Sequence, residues 1–167
     1  MVLKMATYNI RNFKQLESYM DKVIRKCLLY CAGRTEMMLR RLLEERLYDF
    51  EPSMYERTYE LLNSITQSEI IKLSNGVYYV EIYYDTDKIR AYPREKDEGL
   101  SYRWGKHTSF DGEDVSEFIP LWIEKGTNNP YYSHKGTDSM EDTKKWIEQE
   151  YNRLFKIYLK KMVGSIE

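Results

Sequence analysis

The chain has 167 residues, of which 42% are hydrophobic and 32% charged, a composition that fits one soluble globular domain over 1–167 able to bury a core. With 26 Lys and Arg against 27 Asp and Glu, the net charge of -1 removes any overall electrostatic case for binding nucleic acid. Sixteen tyrosines are a surplus that suits strands and interfaces, because each large apolar ring carries a polar tip.

Charge is unevenly spread. Residues 1–50 hold 10 Lys and Arg against 6 Asp and Glu, and residues 51–100 hold 6 against 10, a balance that suits contact between copies and is also common in monomers. No apolar run approaches the ~20 residues of a membrane span. Residues 1–10 lack the apolar segment of a signal peptide, so the protein is expected to stay where it is made.

In chain order, residues 2–9 are weakly apolar and suit an edge strand or extended chain. Asn12 followed by Gln15 has capping-box spacing, and from there Leu16, Met20, Val23, Ile24, Cys27, Cys31, Met38 and Leu42 hold helical phase. One helix is predicted over about 12–48. Gly33, at a cost of about 1 kcal/mol against Ala, marks a place for a bend or break within Ala32–Thr35. A helix this long overhangs its own sheet or lies across a neighbour's; two shorter helices are the alternative. Cys27 and Cys31, four apart on one face, read as small core hydrophobes, since that geometry is awkward for a disulfide and no His or further Cys completes a metal site.

Tyr48–Asp85 is the stretch around which the rest is organised. After the turn residues Asp49, Pro52 and Ser53, Thr58 can cap a short apolar turn from Tyr59 to Ile65, and Arg57 has the rigid fork to hold carbonyl or carboxylate oxygens beside it. Asn75-Gly76 predicts a type I′ hairpin between Ser68–Leu73 and Val77–Asp85. In the second strand Tyr78, Val80, Ile82 and Tyr84 alternate with Val77, Tyr79, Glu81 and Tyr83, so both faces are largely apolar or aromatic. Cover on both, by a helix or another subunit, is expected. Thr86–Gly112 is the least regular part, a candidate second hairpin with a charged tip that carries Tyr92, Tyr102 and Trp104. Val115, Phe118, Ile119, Trp122 and Ile123 form the apolar face of a short helix with Pro120 near its start and Gly126 at its end. A loop over Thr127–Asp138 precedes a final helix capped by Ser139, with Trp146, Ile147, Tyr151, Leu154, Phe155, Tyr158, Leu159 and Met162 in phase.

The chain offers no reactive constellation. It has no phosphate-binding Gly-rich loop and no nucleophile elbow, His107 and His134 have no partners at ligand spacing, and Glu69, Glu81 and Lys72 are only a generic echo of a nuclease site. No catalytic, cofactor-binding or metal residue is assigned. The fold class expected is α+β, with a long N-terminal and a C-terminal helix packed on a small, mainly antiparallel sheet bearing a protruding hairpin or loop.

Tyr55, Arg57, Thr58, Leu61, Ser64 and Ile65, followed much later by Glu124, Gly126 and Thr127, give a pattern that resembles the phage tail-component family of head–tail joining or tail-completion proteins. In that family a long N-terminal helix, a Tyr-x-Arg-Thr motif, a hairpin-containing sheet, a Glu-x-Gly-Thr segment and a C-terminal helix follow in the same order. Many of its members carry Gly where this chain has Tyr59. The resemblance implies a non-enzymatic, cofactor-free virion protein. It would form a ring, often of six copies, that completes the head-proximal end of the tail and meets neck or connector and tail-terminator or tail-tube proteins, near the DNA channel. Such a protein would reside in the virion, and in the host cytoplasm during assembly. Tyr79, Tyr83, Tyr92, Tyr102 and Trp104 are then the candidate assembly surface. The rival expectations are a small phage-encoded inhibitor of a host partner, and, resting only on Glu69, Glu81 and Lys72, a small nuclease.

Overall fold

Residues 11–48, 59–89, 113–129 and 132–164 are described by a computed structural model of the chain. The expected edge strand over 2–9, the motif residues Tyr55, Arg57 and Thr58, the aromatics Tyr92, Tyr102 and Trp104, and His107 lie outside these residues. The class is α+β, as the hydrophobic pattern predicts.

Helix α1 runs unbroken over Phe13–Leu47. Its N-terminus is the predicted box: Asn12 Oδ1 accepts from the Gln15 amide at 2.9 Å, and Gln15 Oε1 accepts from the Arg11 amide at 2.8 Å. The bend expected at Gly33 is absent. The glycine costs about 1 kcal/mol in a helix, whereas each large apolar side chain buried beside it stabilises by about 1.5–3 kcal/mol, so packing on both sides of Gly33 wins. Val23, Cys27, Leu28, Cys31, Ala32, Leu39, Leu42 and Leu43 form the buried stripe. Leu16 and Met20, in phase with it, are exposed.

The reason is the length of its partner. Helix α4, Ser139–Val163, lies along α1, with Arg46 paired to Asp142 at one end and the Tyr30 and Tyr158 rings stacked at 4.7 Å toward the other. Sixteen residues separate each pair of anchors on its own helix, so the two run antiparallel at the same rise. Helix α4 therefore ends about level with Arg25, and the first turns of α1 project beyond it. Both cysteines are free and buried, and burial pushes the Cys31 thiol up to about 11, which leaves it inert at neutral pH.

Helix α2, Glu60–Ser64, runs directly into strand β1, Ile65–Gln67. Its cap position is Tyr59, in the left-handed region at φ 55°, with no side-chain cap bond, where Thr58 was the expected cap. A non-glycine residue there costs about 1–2 kcal/mol. The Tyr59 ring recovers part of this against Tyr48, at 5.0 Å between centroids.

The central hairpin pairs β1 with β4, Ile82–Tyr84, and β2, Ile71–Lys72, with β3, Tyr78–Tyr79, both antiparallel. Register changes by one between the two ladders. Ser68 still pairs with Glu81, then Glu69 and Ile70 together stand opposite Val80, the signature of a β-bulge. The turn is not type I′. Gly76 alone has positive φ, at 79°, inside a three-residue loop closed by bonds between Leu73 and Val77 and from Gly76 to Leu73. Among the described residues the two faces differ: Tyr78, Val80, Ile82 and Tyr84 are half-buried on the α1 side, whereas on the other Val77, Glu81 and Tyr83 are exposed and Tyr79 half-buried.

A 3-10 turn at Ser116–Phe118 leads into α3, Ile119–Lys125, with Pro120 in its first turn and Gly126 (φ 82°) after its last. The segment expected to be a loop over 127–138 is a hairpin, β5 Gly126–Asn129 against β6 Tyr132–Lys135, which contains His134. Leu39, Leu43, Leu62 and Ile65 make the core cluster, ringed by Tyr48, Ile82, Tyr84, Ile123 and Met140.

Two glycine-to-alanine changes are expected to move stability in opposite directions. At Gly33 a Cβ would meet nothing within 4 Å, so Gly33→Ala raises the unfolding free energy by about 1 kcal/mol through helix propensity. Gly76 is equally uncrowded but left-handed, so Gly76→Ala lowers it by about 1–2 kcal/mol. Urea denaturation of both variants beside the parent checks the two signs.

Candidate assembly surface

Three arginines on α1 donate to backbone carbonyl oxygens of other parts of the chain. Arg40 donates to the carbonyl oxygens of Leu62 and Ile65, at the end of α2 and the start of β1, while Glu36 one turn away orients its fork through bonds of 2.8 and 3.0 Å. Arg46 donates to Thr137 O and to Asp142 Oδ2, joining α1 to the start of α4. Arg25 donates to Ile70 O at the bulge and to Asp21. Arg57, for which either a similar role or a plain surface position is expected, lies outside the described residues.

Asp21 collects Tyr78 OH, Arg25 and Lys72, and those donors hold its carboxyl well below the usual carboxylate range. Arg25 and Lys72 also lie over the Tyr78 ring, at 5.4 and 5.0 Å. Lys72 is thereby engaged with the helix, not with Glu69 and Glu81. Among the described residues no three His, Cys, Asp or Glu side chains are placed to hold a metal ion.

Glu124 is the buried counterpart at the other end, only 8% exposed. Its Oε1 accepts from Tyr84 OH at 2.7 Å and its Oε2 from the Met140 amide at 3.0 Å, so this carboxylate, not Ser139, caps α4 and faces the positive end of its dipole. Ser139 is fully buried and its hydroxyl makes no hydrogen bond. Thr137 and Asp138 donate their amides to Ile123 O and Glu124 O, and a Cβ on Gly136 would lie 2.4 Å from Glu124 O, so only glycine permits this crossing. Burial, reinforced by the bond to Glu124, raises the Tyr84 hydroxyl far above its ordinary value.

The two blocks of the sequence pattern converge here. Leu61, Ser64 and Ile65 are buried, Ile65 sits opposite Tyr84 in the β1–β4 ladder, and Tyr84 donates to Glu124. Gly126 ends α3 and Thr127 follows in β5, half-buried. Tyr84 and Arg40, which make the connections, carry no signal in the sequence beyond residue type. These groups shape the fold, and large apolar side chains remain exposed around them. Ile71, Leu73, Val77 and Tyr83 are exposed on the outer side of the hairpin with Tyr79 half-buried among them. Phe118 in the 3-10 turn and Leu121 and Trp122 on α3 are exposed, the first and last stacked at 6.0 Å, while Val115, Ile119 and Ile123 of the expected apolar face are half-buried. Phe13, Leu16 and Met20 are exposed on the projecting turns of α1.

Residues 12–162 match the model of the YomN family. No curated protein and no solved structure matches the chain. No helix among the described residues is long and apolar enough to cross a membrane.

The Tyr84–Glu124 bond predicts an alkaline signature. Unfolded, Tyr84 ionises near pH 10; folded, it keeps its proton well above that. Above pH 10 the native chain then binds one more proton than the unfolded chain. Stability is full below pH 10 and falls with rising pH, by about 1.4 kcal/mol per unit from this group. Tyr84→Phe should remove one proton from that slope, while lowering stability at pH 7 by about 1.5–3 kcal/mol through loss of a bond to a charged acceptor. Urea titrations from pH 7 to 11 measure both effects, and identical slopes would show that Tyr84 ionises freely in the fold.

Proposed function

Because the chain belongs to the YomN family, a phage- and prophage-associated family, we propose that it is a structural protein of a tailed phage or prophage virion. It forms a ring at the head-proximal end of the tail, completing the tail and joining it to the head connector. Support comes from two sides: the order of motif residues, and the surface of a single subunit.

The observation that carries the reading is the outer hairpin face. Ile71, Leu73, Val77 and Tyr83 stand on one side of a twisted two-stranded ribbon, with ladder edges beside them. Single exposed apolar side chains are ordinary, but Ile71, Leu73 and Val77, grouped with the half-buried Tyr79 on one strand face and with Tyr83 beyond Glu81, suit a contact site. Tyrosine suits it, since the ring supplies area at low entropic cost while the hydroxyl tolerates a wet rim. Six copies placed so that each covers its neighbour's face would form the ring, with tail-terminator or tail-tube proteins below, the connector above and DNA in the channel. The protein then resides in the virion, after assembly in the host cytoplasm.

Native mass measurement tests this directly. Purified subunit, alone or with tail tubes of its own phage, should give one large oligomer, six copies being expected. Apolar and tyrosine contacts should keep finished rings intact in high salt, because exposed ion pairs contribute only about 0–1 kcal/mol each. A chain that stays monomeric alone, with tail tubes and with connectors overturns the proposal, and a stoichiometric complex with a host enzyme instead would favour an inhibitor.

A further inference from the structure

We infer that the helix pair binds duplex DNA along its phosphate backbone, through a basic belt carried jointly by α1 and α4. The inference deepens the reading of the chain as a ring around DNA, since it names the surface that would face the channel. Residues 22–35 of α1 contain Lys22, Arg25, Lys26 and Arg34 and no acidic residue. Residues 152–164 contain Arg153, Lys156, Lys160 and Lys161 and again no acidic one. Antiparallel packing sets the two stretches at one height: with Tyr30 stacked on Tyr158, residues 25–35 lie alongside residues 153–163. The belt they form is about 20 Å long. A net charge of -1 for the whole chain conceals it, because the balancing carboxylates lie elsewhere.

The carboxylates at its borders leave most of this charge unopposed. Asp21 takes Arg25, Lys72 and Tyr78, and with Glu69, exposed at the bulge, these charges come to neutral. Glu36 is held by Arg40, and Glu150 by Arg153. Lys22, Lys26, Arg34, Lys156 and Lys160 are exposed, and no carboxylate among the described residues pairs with any of them. Duplex DNA presents about one phosphate per 1.7 Å of its axis, enough along this belt to meet all five. An acidic protein is the poorer fit, because lysine is depleted in protein interfaces but serves phosphate well as a point charge. A single strand fits poorly too. The rings within the belt are occupied with each other, Tyr30 with Tyr158 and Tyr151 with Phe155, which leaves bases no open platform. The outer hairpin face, with Ile71, Leu73 and Val77, stays free for a neighbouring copy.

The test titrates a labelled duplex of about 20 base pairs with the full chain and reads fluorescence anisotropy at about 50 and about 100 mM salt. Affinity should fall about twentyfold between the two salts and be equal for duplexes of unrelated sequence. Lys22→Gln with Lys26→Gln on α1, and Lys156→Gln with Lys160→Gln on α4, should each weaken binding about tenfold at the lower salt and reduce the salt slope by about 1.8. Lys144→Gln with Lys145→Gln, near the other end of α4, changes the net charge equally and should leave affinity within about twofold. All six lysines are exposed, and unchanged thermal unfolding verifies the folds. Duplex binding that is absent, untouched by either belt pair, or lost equally in the Lys144 and Lys145 control overturns the inference, as does binding to polyglutamate or anionic lipid vesicles in place of DNA. Native mass measurement of the same samples reads assembly separately. A ring that ignores DNA removes the belt's role and leaves the ring, and a monomer that binds duplex through both pairs does the reverse.

Discussion

The fold depends on guanidinium groups of one helix holding backbone carbonyls that no ladder satisfies. Among the described residues the strands are two to four residues long and form three separate two-stranded pairs, and a two-stranded ribbon is at best marginal in water. What fixes the central hairpin is its attachment to α1: Arg25 at the bulge, and Arg40 across Leu62 O and Ile65 O. Hydrogen bonds to a charged donor contribute about 1.5–3 kcal/mol each, roughly twice a neutral one, and a fork satisfies two acceptors for one ordered side chain. Lysine would keep the charge and lose that geometry. Acidic residues one turn earlier, Asp21 and Glu36, hold two of these forks in place.

Local signals were legible in the sequence because they act over a few residues. The Asn12–Gln15 box, the 3.6-residue periods of α1 and α4, Gly126 at the end of α3 and the glycine turn at Gly76 all need only neighbours in the chain. The misreadings share a cause, which is tertiary completion. Leu16 and Met20 have the same phase as Val23, yet their exposure depends on where α4 stops, 140 residues later. Ser139 has the right residue type for a cap, but a buried carboxylate from α3 occupies that place. The turn at Asn75-Gly76 changed type because the bulge at Glu69 and Ile70 alters the twist and register that the turn must close. The hairpin at 126–135 has little β-branched or alternating character and is held by Gly136 passing against the end of α3.

Of the pattern residues, Tyr55, Arg57 and Thr58 lie outside the described residues, and the link between two of the others is made by a residue the pattern does not contain. Tyr84 joins Ile65 to Glu124, one side by strand pairing and the other by its hydroxyl. Tyr59 shows the same separation of pattern from cause. The chain adopts the left-handed conformation that glycine would take without strain, and a ring contact with Tyr48 offsets part of the cost.

The tyrosines divide accordingly. Tyr78 and Tyr84 turn inward and commit their hydroxyls to Asp21 and Glu124, and Tyr30 is stacked on Tyr158 between the two long helices. Tyr83 has no such inward commitment and stands exposed, with the apolar Ile71, Leu73 and Val77 on the same outer side. Strand alternation enforces this division: consecutive tyrosines at 78–79 and 83–84 must point to opposite faces, so every inward anchor carries an outward ring next to it. A subunit needing only stability would place polar residues at the outward positions, as it does at Glu81. Retaining aromatic rings there raises the hazard of unwanted association at an exposed edge, a cost that the proposed ring would offset by covering the face.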